Sequence, residues 1–254
     1  MRIALCALSN PVPAYVADEL AASLRQAGIR CSTAFFQKDL SAPRKKAQAF
    51  NELVREDYDW IFDISGGDLA NLVLPYLDYA AYARARTVLA GYSDLTCVLN
   101  ALLSRSQRPA LLFQIAAHEP FGEVLSFLKE GTSDTLFYPS EKPVVGGNVR
   151  CFLKLAGTPY LPSAAGKILF LESHSGKPER LASYFAQLAQ MGLFAQADAV
   201  YTGEFTELYR LYGPANADRQ IASLLEGIGI PVKTGLPVGH AAGSRALWLG
   251  KETH

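Results

Sequence analysis

Charge of one sign is what this chain most plainly lacks: Lys plus Arg number 24, Asp plus Glu 24, and the formal net charge is zero. With no excess of either sign there is no field to recruit nucleic acid or an anionic membrane surface, so neither is an expected partner. Long apolar runs are missing too. None approaches the roughly 20 residues of a membrane span, and the run that starts at Ile3 is broken by Asn10-Pro11 before it could serve as a secretory h-region. Cysteine is scarce, and Cys6, Cys31, Cys97 and Cys151 are scattered without the spacing of a metal site or a disulfide framework. That pattern predicts buried thiols in a reducing compartment, hence a soluble cytoplasmic protein. Low-complexity tracts are absent as well. A balance of 50% hydrophobic to 19% charged residues is that of an ordinary globular chain, one α/β domain or two smaller ones.

What is present is an alternation of apolar runs and helical patterns. A strand is predicted over 3–8, closed by Ser9-Asn10-Pro11. Over 15–27, Val16, Leu20, Leu24 and Ala27 share a helical face that Gly28 stops, and 29–36 reads as a second strand. The right-handed crossover of such a βαβ unit predicts α/β architecture with a Rossmann-like, doubly wound parallel sheet. An amphipathic helix over 42–58 and a third strand over 60–64 follow, the strand ending at Ser65-Gly66-Gly67-Asp68. A glycine pair at the carboxyl edge of such a sheet lies where ligands bind and where bare backbone N–H groups can approach a substrate oxygen. It is no dinucleotide fingerprint, because the third glycine is missing. Further strands are predicted over 86–91 and 110–117, with a helix over 121–128.

Between 132 and 145 the composition shifts to Thr, Ser, Asp, Pro and Lys, which places a domain boundary near Tyr138-Pro139-Ser140 and divides the chain into 1–138 and a smaller α/β unit over 139–254. The second unit opens on Gly146-Gly147-Asn148. A helix is predicted over 149–156, a buried strand over 167–171 with Glu172 at its end, a helix over 178–191, a short strand over 199–204, a helix over 217–228 and a last strand over 246–250. A carboxylate at the end of a buried strand must be paired or functional, because burying it alone is costly.

Ser93 sits between the apolar run ending at Gly91 and the helical pattern starting at Leu95. A serine on a sharp strand-to-helix turn lifts its hydroxyl above the sheet edge, and the helix N-terminus with the next N–H, that of Asp94, supplies positive potential for an oxyanion. Ser or Asp before a helix is also a routine N-cap, so the serine needs partners elsewhere. A general base would be a histidine, and only four exist. His254 is terminal, and His174 follows Glu172. His118 lies beyond the strand next to that of Ser93, and His240 ends the rigid turn segment Gly235-Leu236-Pro237-Val238-Gly239. His240 and His118 are the main competitors, with Glu172 as the orienting acid in the chain order Ser, Glu, His.

At these residues the chain resembles the serine LD-carboxypeptidases, the family of muramoyltetrapeptide carboxypeptidases and microcin C immunity peptidases. The resemblance runs in register through Ser65-Gly66-Gly67-Asp68 with Leu74-Pro75-Tyr76-Leu77-Asp78, Gly91-Tyr92-Ser93-Asp94-Leu95-Thr96, Gly146-Gly147-Asn148, Gly157-Thr158-Pro159 with Ile168-Leu169-Phe170-Leu171-Glu172, and Gly235-Leu236-Pro237-Val238-Gly239-His240. It implies a triad of Ser93, Glu172 and His240, an oxyanion hole from the N–H groups of Gly67 and Asp94, and Gly66 beside the substrate. It also implies cleavage of an L,D-amide in a small muropeptide-like peptide, no metal or other cofactor, and a homodimer. Arg180 and Arg44 are candidates to clamp the substrate's carboxylate.

The chain departs from the family at Gln114–Pro120, where a Gly-Pro turn is usual, and at Ser173, where an acid usually follows the glutamate. Those departures touch the pocket and leave other functions open: a peptidyl or aminoacyl adenylate as substrate, or a muropeptide binder without turnover. A glutamine-amidotransferase-like or flavodoxin-like domain would share the βαβ start, but it requires a cysteine elbow or a phosphate loop, and Cys97 falls inside a helix.

Overall fold

The structure, a computed structural model, describes residues 1–34, 42–56, 58–117, 124, 126–128, 133 and 136–253. His118, His254 and half of the helix expected over 121–128 (residues 121–123 and 125) lie outside the described residues. Strands buried on both faces build the first sheet, with alternate residues entering different apolar layers. In β1 (Arg2–Cys6), Ile3 and Leu5 face one apolar layer together with Trp60 and Phe62 of β3 (Trp60–Asp63), while Ala4, Cys6 and Ile61 face the other. Helix α1 (Ala14–Gln26) covers the first layer with Leu20, Ala21 and Leu24, and α2 (Pro43–Arg55) covers the second with Ala47, Phe50, Leu53 and Val54. Helices therefore lie on both faces, as doubly wound sheets require.

With β2 (Arg30–Thr33), β4 (Val88–Gly91), β5 (Ala110–Leu112) and the C-terminal β10 (Leu247–Leu249), the sheet reads β10-β5-β4-β3-β1-β2. All neighbours are parallel except β10, which runs antiparallel to β5. The chain order thus reverses between β1 and β3, the topological switch point at which such sheets bind ligands. A 3-10 segment, Ala70–Tyr76, and the short helix α3 (Tyr79–Arg84), capped by the Asp78 side chain, connect β3 to β4.

A second sheet holds four parallel strands in the order β6-β7-β8-β9: β6 (Val144–Asn148), β7 (Ile168–Ser173), β8 (Ala199–Phe205) and β9 (Val232–Lys233). It carries α5 (Val149–Leu153), α6 (Pro178–Gln190), α7 (Leu193–Gln196), α8 (Thr206–Tyr212) and α9 (Pro214–Leu224). Helix α4 (Thr96–Ser106) is buried on every side from Thr96 to Leu103 and so lies between the sheets. Asn100 on α4 donates to Gly146 O at 2.8 Å and accepts from Gly146 N at 3.0 Å, and Thr96 Oγ1 accepts from Asn148 N at 3.0 Å. A Cβ at Gly147 would come within 2.7 Å of Thr96 Oγ1, so the glycine pair of β6 is what lets strand and helix close. One apolar cluster runs through both sheets, and β10, near the end of the chain, pairs at the edge of the first sheet. Among the described residues no helix is long and apolar enough to cross a membrane.

Candidate active site

Ser93 adopts φ +54°, the left-handed region, directly after the extended Tyr92 and at the start of a 3-10 turn leading into α4. An L-residue pays about 1–2 kcal/mol to stand there, and the surrounding turn must enforce it. Gly91 makes the elbow possible, since a Cβ on it would press to 3.0 Å against the Leu95 Cβ. Asp94 is fully buried at 0% exposure, and its carboxylate accepts from Ser9 Oγ at 2.5 Å, from Ala70 N at 2.8 Å and from Lys154 Nζ.

The Gly66-Gly67 loop meets the elbow from β3. Gly66 stands directly beside the nucleophile: a Cβ there would sit in ordinary contact, 3.7 Å, with Ser93 Oγ. Gly66 O accepts from Asn10 N at 3.2 Å, and in a trans peptide that turns the Gly67 N–H to the opposite side. Gly67 has φ +124°, and a Cβ there would collide with the Asn10 carboxamide. Beneath the loop, buried Asp63 accepts from Leu8 N at 2.6 Å, Ser65 N at 2.8 Å and Ser65 Oγ at 2.5 Å, tying the ends of β1 and β3 together. Burial raises the Asp63 carboxyl to about 6, against the opposing pull of the Ser65 and Leu8 bonds.

Glu172 lies where the β7–β8 register slips between Leu171 and Ser173, an irregularity of the kind that re-aims side chains beside active sites. Only 2% exposed, its Oε2 lies 2.9 Å from His240 Nδ1. A carboxylate can only accept, so Nδ1 carries the proton and Nε2 of a neutral ring holds the lone pair. Among the described residues, His240 Nε2 is buried with no hydrogen-bond partner. Burial opposes the charged ring, yet the charge and bond of Glu172 and the charge of Glu204 outweigh it and hold the His240 pKa above the ordinary imidazole value.

The His240 ring packs edge-on to Tyr92 at 5.8 Å, the residue before Ser93, and lies 5.0 Å from the ring of His174. Ser93, Glu172, Gly239, Gln114 and Arg245 line one small cavity between the sheets. Ser93, Glu172 and His240 are therefore brought together from opposite halves of the chain, with Gly66 alongside.

Arg180 is not among them: it is exposed on the first turn of α6 beside Gly176. Arg44 is exposed too, its guanidinium 4.8 Å over the Tyr76 ring. Three basic residues escaped the sequence reading. Arg245, five residues past His240, lines the cavity. Arg150 and Lys154 stand four apart around α5, where that spacing after Gly146-Gly147-Asn148 was the available signal.

Residues 3–111 match the N-terminal domain of the LD-carboxypeptidases, and residues 141–254 match their C-terminal domain. The chain belongs to the LD-carboxypeptidase family of serine carboxypeptidase-like hydrolases. It is similar to the microcin C7 self-immunity protein MccF of Escherichia coli, at 27% identity over 82% of this chain and 74% of that protein. Its fold is similar to the crystal structure of a muramoyltetrapeptide carboxypeptidase from Oxalobacter formigenes, with a TM-score of 0.81 at 22% identity over 98% of this chain and 93% of the other. A MccF-like protein from Bacillus anthracis gives a TM-score of 0.81 at 20% identity, over 98% and 91% of the two chains.

Proposed function

We propose that the protein is a serine LD-carboxypeptidase that hydrolyses the amide joining an L-centre to the terminal D-residue of a peptidoglycan-derived tetrapeptide. The observation that carries this reading is the buried, unpartnered Nε2 of His240, backed by Glu172 and packed against the residue that precedes Ser93. A buried polar atom left without a partner is costly, and a proton to be taken from a serine hydroxyl accounts for it. His240 removes the Ser93 proton as Oγ attacks the scissile carbonyl. The N–H groups of Gly67 and Asp94 receive the oxyanion, the imidazolium protonates the leaving amine, and water repeats the cycle on the acyl-enzyme. Arg245 lines the cavity wall, its guanidinium donating to Phe137 O and lying 5.8 Å over the Tyr138 ring.

The test is release of D-alanine from a muropeptide tetrapeptide, measured beside a panel of L,L-peptides. Release from the L,D-peptide alone is the expected result, and no release from any peptide would refute the reading. The similarity to MccF favours a second substrate class, an aminoacyl or peptidyl adenylate, for the same serine chemistry. Weighing the products of both incubations separates the two.

The pH dependence follows from the base. His240 must be neutral to accept the proton, and its pKa is raised, so kcat/KM should climb with pH through a group titrating above the ordinary imidazole value. Glu204→Gln removes one of the charges that raise it while keeping the oxygen that accepts from Ala241 N at 3.1 Å. The acidic limb of the profile should then move to lower pH. An unmoved limb would mean that another group sets it.

A further inference from the structure

The two loops that meet at Ser93 both belong to the first sheet, yet each is gripped by a cation from the second. Arg150, on α5, donates through Nη2 to Gly67 O at 2.9 Å and pairs through Nη1 with Asp68. Lys154, at the C-cap of the same helix, donates to Asp68 O at 2.8 Å and pairs with the Asp94 carboxylate. Asp68 is surface-exposed, and its bond to Arg150 holds its carboxyl below the usual range. The Lys154–Asp94 pair is different: the Asp94 side chain is at 0% exposure and that of Lys154 at 18%, so water screens it little.

These contacts bear on orientation. Asn10 takes Gly66 O and accepts from Asp68 N at 3.0 Å, while Arg150 takes Gly67 O, so the peptides before and after Gly67 are fixed on both sides. The Asp94 side chain, held by Ser9, Ala70 and Lys154, fixes the residue whose N–H opens the elbow helix. Four residues apart on one helical turn, Arg150 and Lys154 reach both loops from a single rigid base. A neutral, apolar α5 would satisfy packing against β6 and α4 equally well, so packing alone does not explain two cations aimed at these two loops.

We propose that Arg150 and Lys154 are positioning residues that hold the two halves of the oxyanion hole, Gly67 and Asp94, in register, so that the hole is complete only while the second sheet is docked on the first. The proposal rests on the serine-hydrolase reading given above. It assigns neither residue to substrate contact; both act through the backbone they hold. Because an oxyanion hole acts on the transition state, loosening it should lower kcat and leave KM nearly unchanged.

The experiment measures two rates on folded protein: phosphonylation of Ser93 by a fluorophosphonate, which needs no knowledge of the natural peptide, and turnover of the tetrapeptide. Arg150→Met removes the bond to Gly67 from a partly exposed side chain and should fold. It should slow both rates about 10- to 100-fold, the scale of a displaced hole donor, with KM within about two-fold. Lys154→Met should do the same, and Lys154→Arg should restore most of the rate. Should Lys154→Met fail to fold because it strands the Asp94 carboxylate, Arg150→Met and the charge-free pair Asp94→Asn/Lys154→Met decide. Variants that lose thermal stability but label at the wild-type rate would overturn the proposal and leave the serine reading standing. A wild-type protein that does not label at Ser93 would overturn both.

Discussion

Ser93→Ala should lower tetrapeptide turnover by about 10³-fold or more, equivalent to roughly 4 kcal/mol of transition-state stabilisation, with the protein still folded. The argument joins two features of the elbow. The hydroxyl stands on a φ of +54°, a conformation whose cost is met only because the turn between β4 and α4 enforces it, and alanine inherits that cost unchanged. What alanine loses is the one atom that can form the acyl bond.

Ser93→Gly sharpens the result. Glycine enters the left-handed region freely, although it also raises the entropy of the unfolded chain. The variant should therefore keep its stability, or gain up to about 1 kcal/mol in thermal or urea melts, while losing activity as fully as alanine does. A serine placed for catalysis at the expense of stability predicts this opposition. A serine that merely caps the helix predicts a loss of stability in both variants with activity intact.

Glu172→Gln should cost about 10²- to 10⁴-fold in kcat with little change in KM. The carboxylate can only accept, so it fixes the proton on Nδ1 of His240, 2.9 Å away. The glutamine amide can donate there instead, which moves the ring proton to Nε2 and removes the lone pair that must receive the serine proton. The substitution also removes the charge that chiefly opposes burial in setting the pKa of His240. A neutral amide is no dearer to bury than a carboxylate, so the melting temperature should hold. Groups that act as a unit are not additive, and the double variant Ser93→Ala/Glu172→Gln should be no slower than Ser93→Ala alone. A rise in KM with kcat unchanged would instead make Glu172 a structural residue.

The sequence displayed the parts of the site more clearly than their assembly. Ser93, Glu172 and His240 were each legible because each ends an apolar strand or a Gly/Pro-fixed turn, and such ends are local patterns. The doubly wound core was legible for the same reason, through the continuous apolar runs of β1 and β3 and the helical faces of α1 and α2. Elements shorter than one full pattern were not. The 3-10 segment Ala70–Tyr76, α3, α7 and α8 run 4–7 residues, too few to establish a period. β6 was missed because Gly146 and Gly147 spoil its strand signal, although their lack of side chains is what admits Phe170 O and Thr96. The strand expected over 110–117 ends at Leu112, and Ile115–Ala117 turns into a 3-10 segment instead.

Long-range pairing was beyond any local reading. β10 crosses to the first sheet, and Lys154 reaches Asp94 across 60 positions of sequence. Arg180 follows Glu172 closely in the chain, but the turn after β7 carries it to the exposed first turn of α6. Arg245 reaches the cavity because the backbone after His240 folds back, its own N–H donating to Pro237 O at 2.7 Å.

The most direct test is to treat the protein with a fluorophosphonate, digest it and weigh the peptides. The account predicts one adduct, on Ser93, that forms readily in the wild type, slowly in His240→Ala and never in Ser93→Ala. An adduct on any other residue, or steady peptide hydrolysis by Ser93→Ala, would contradict it.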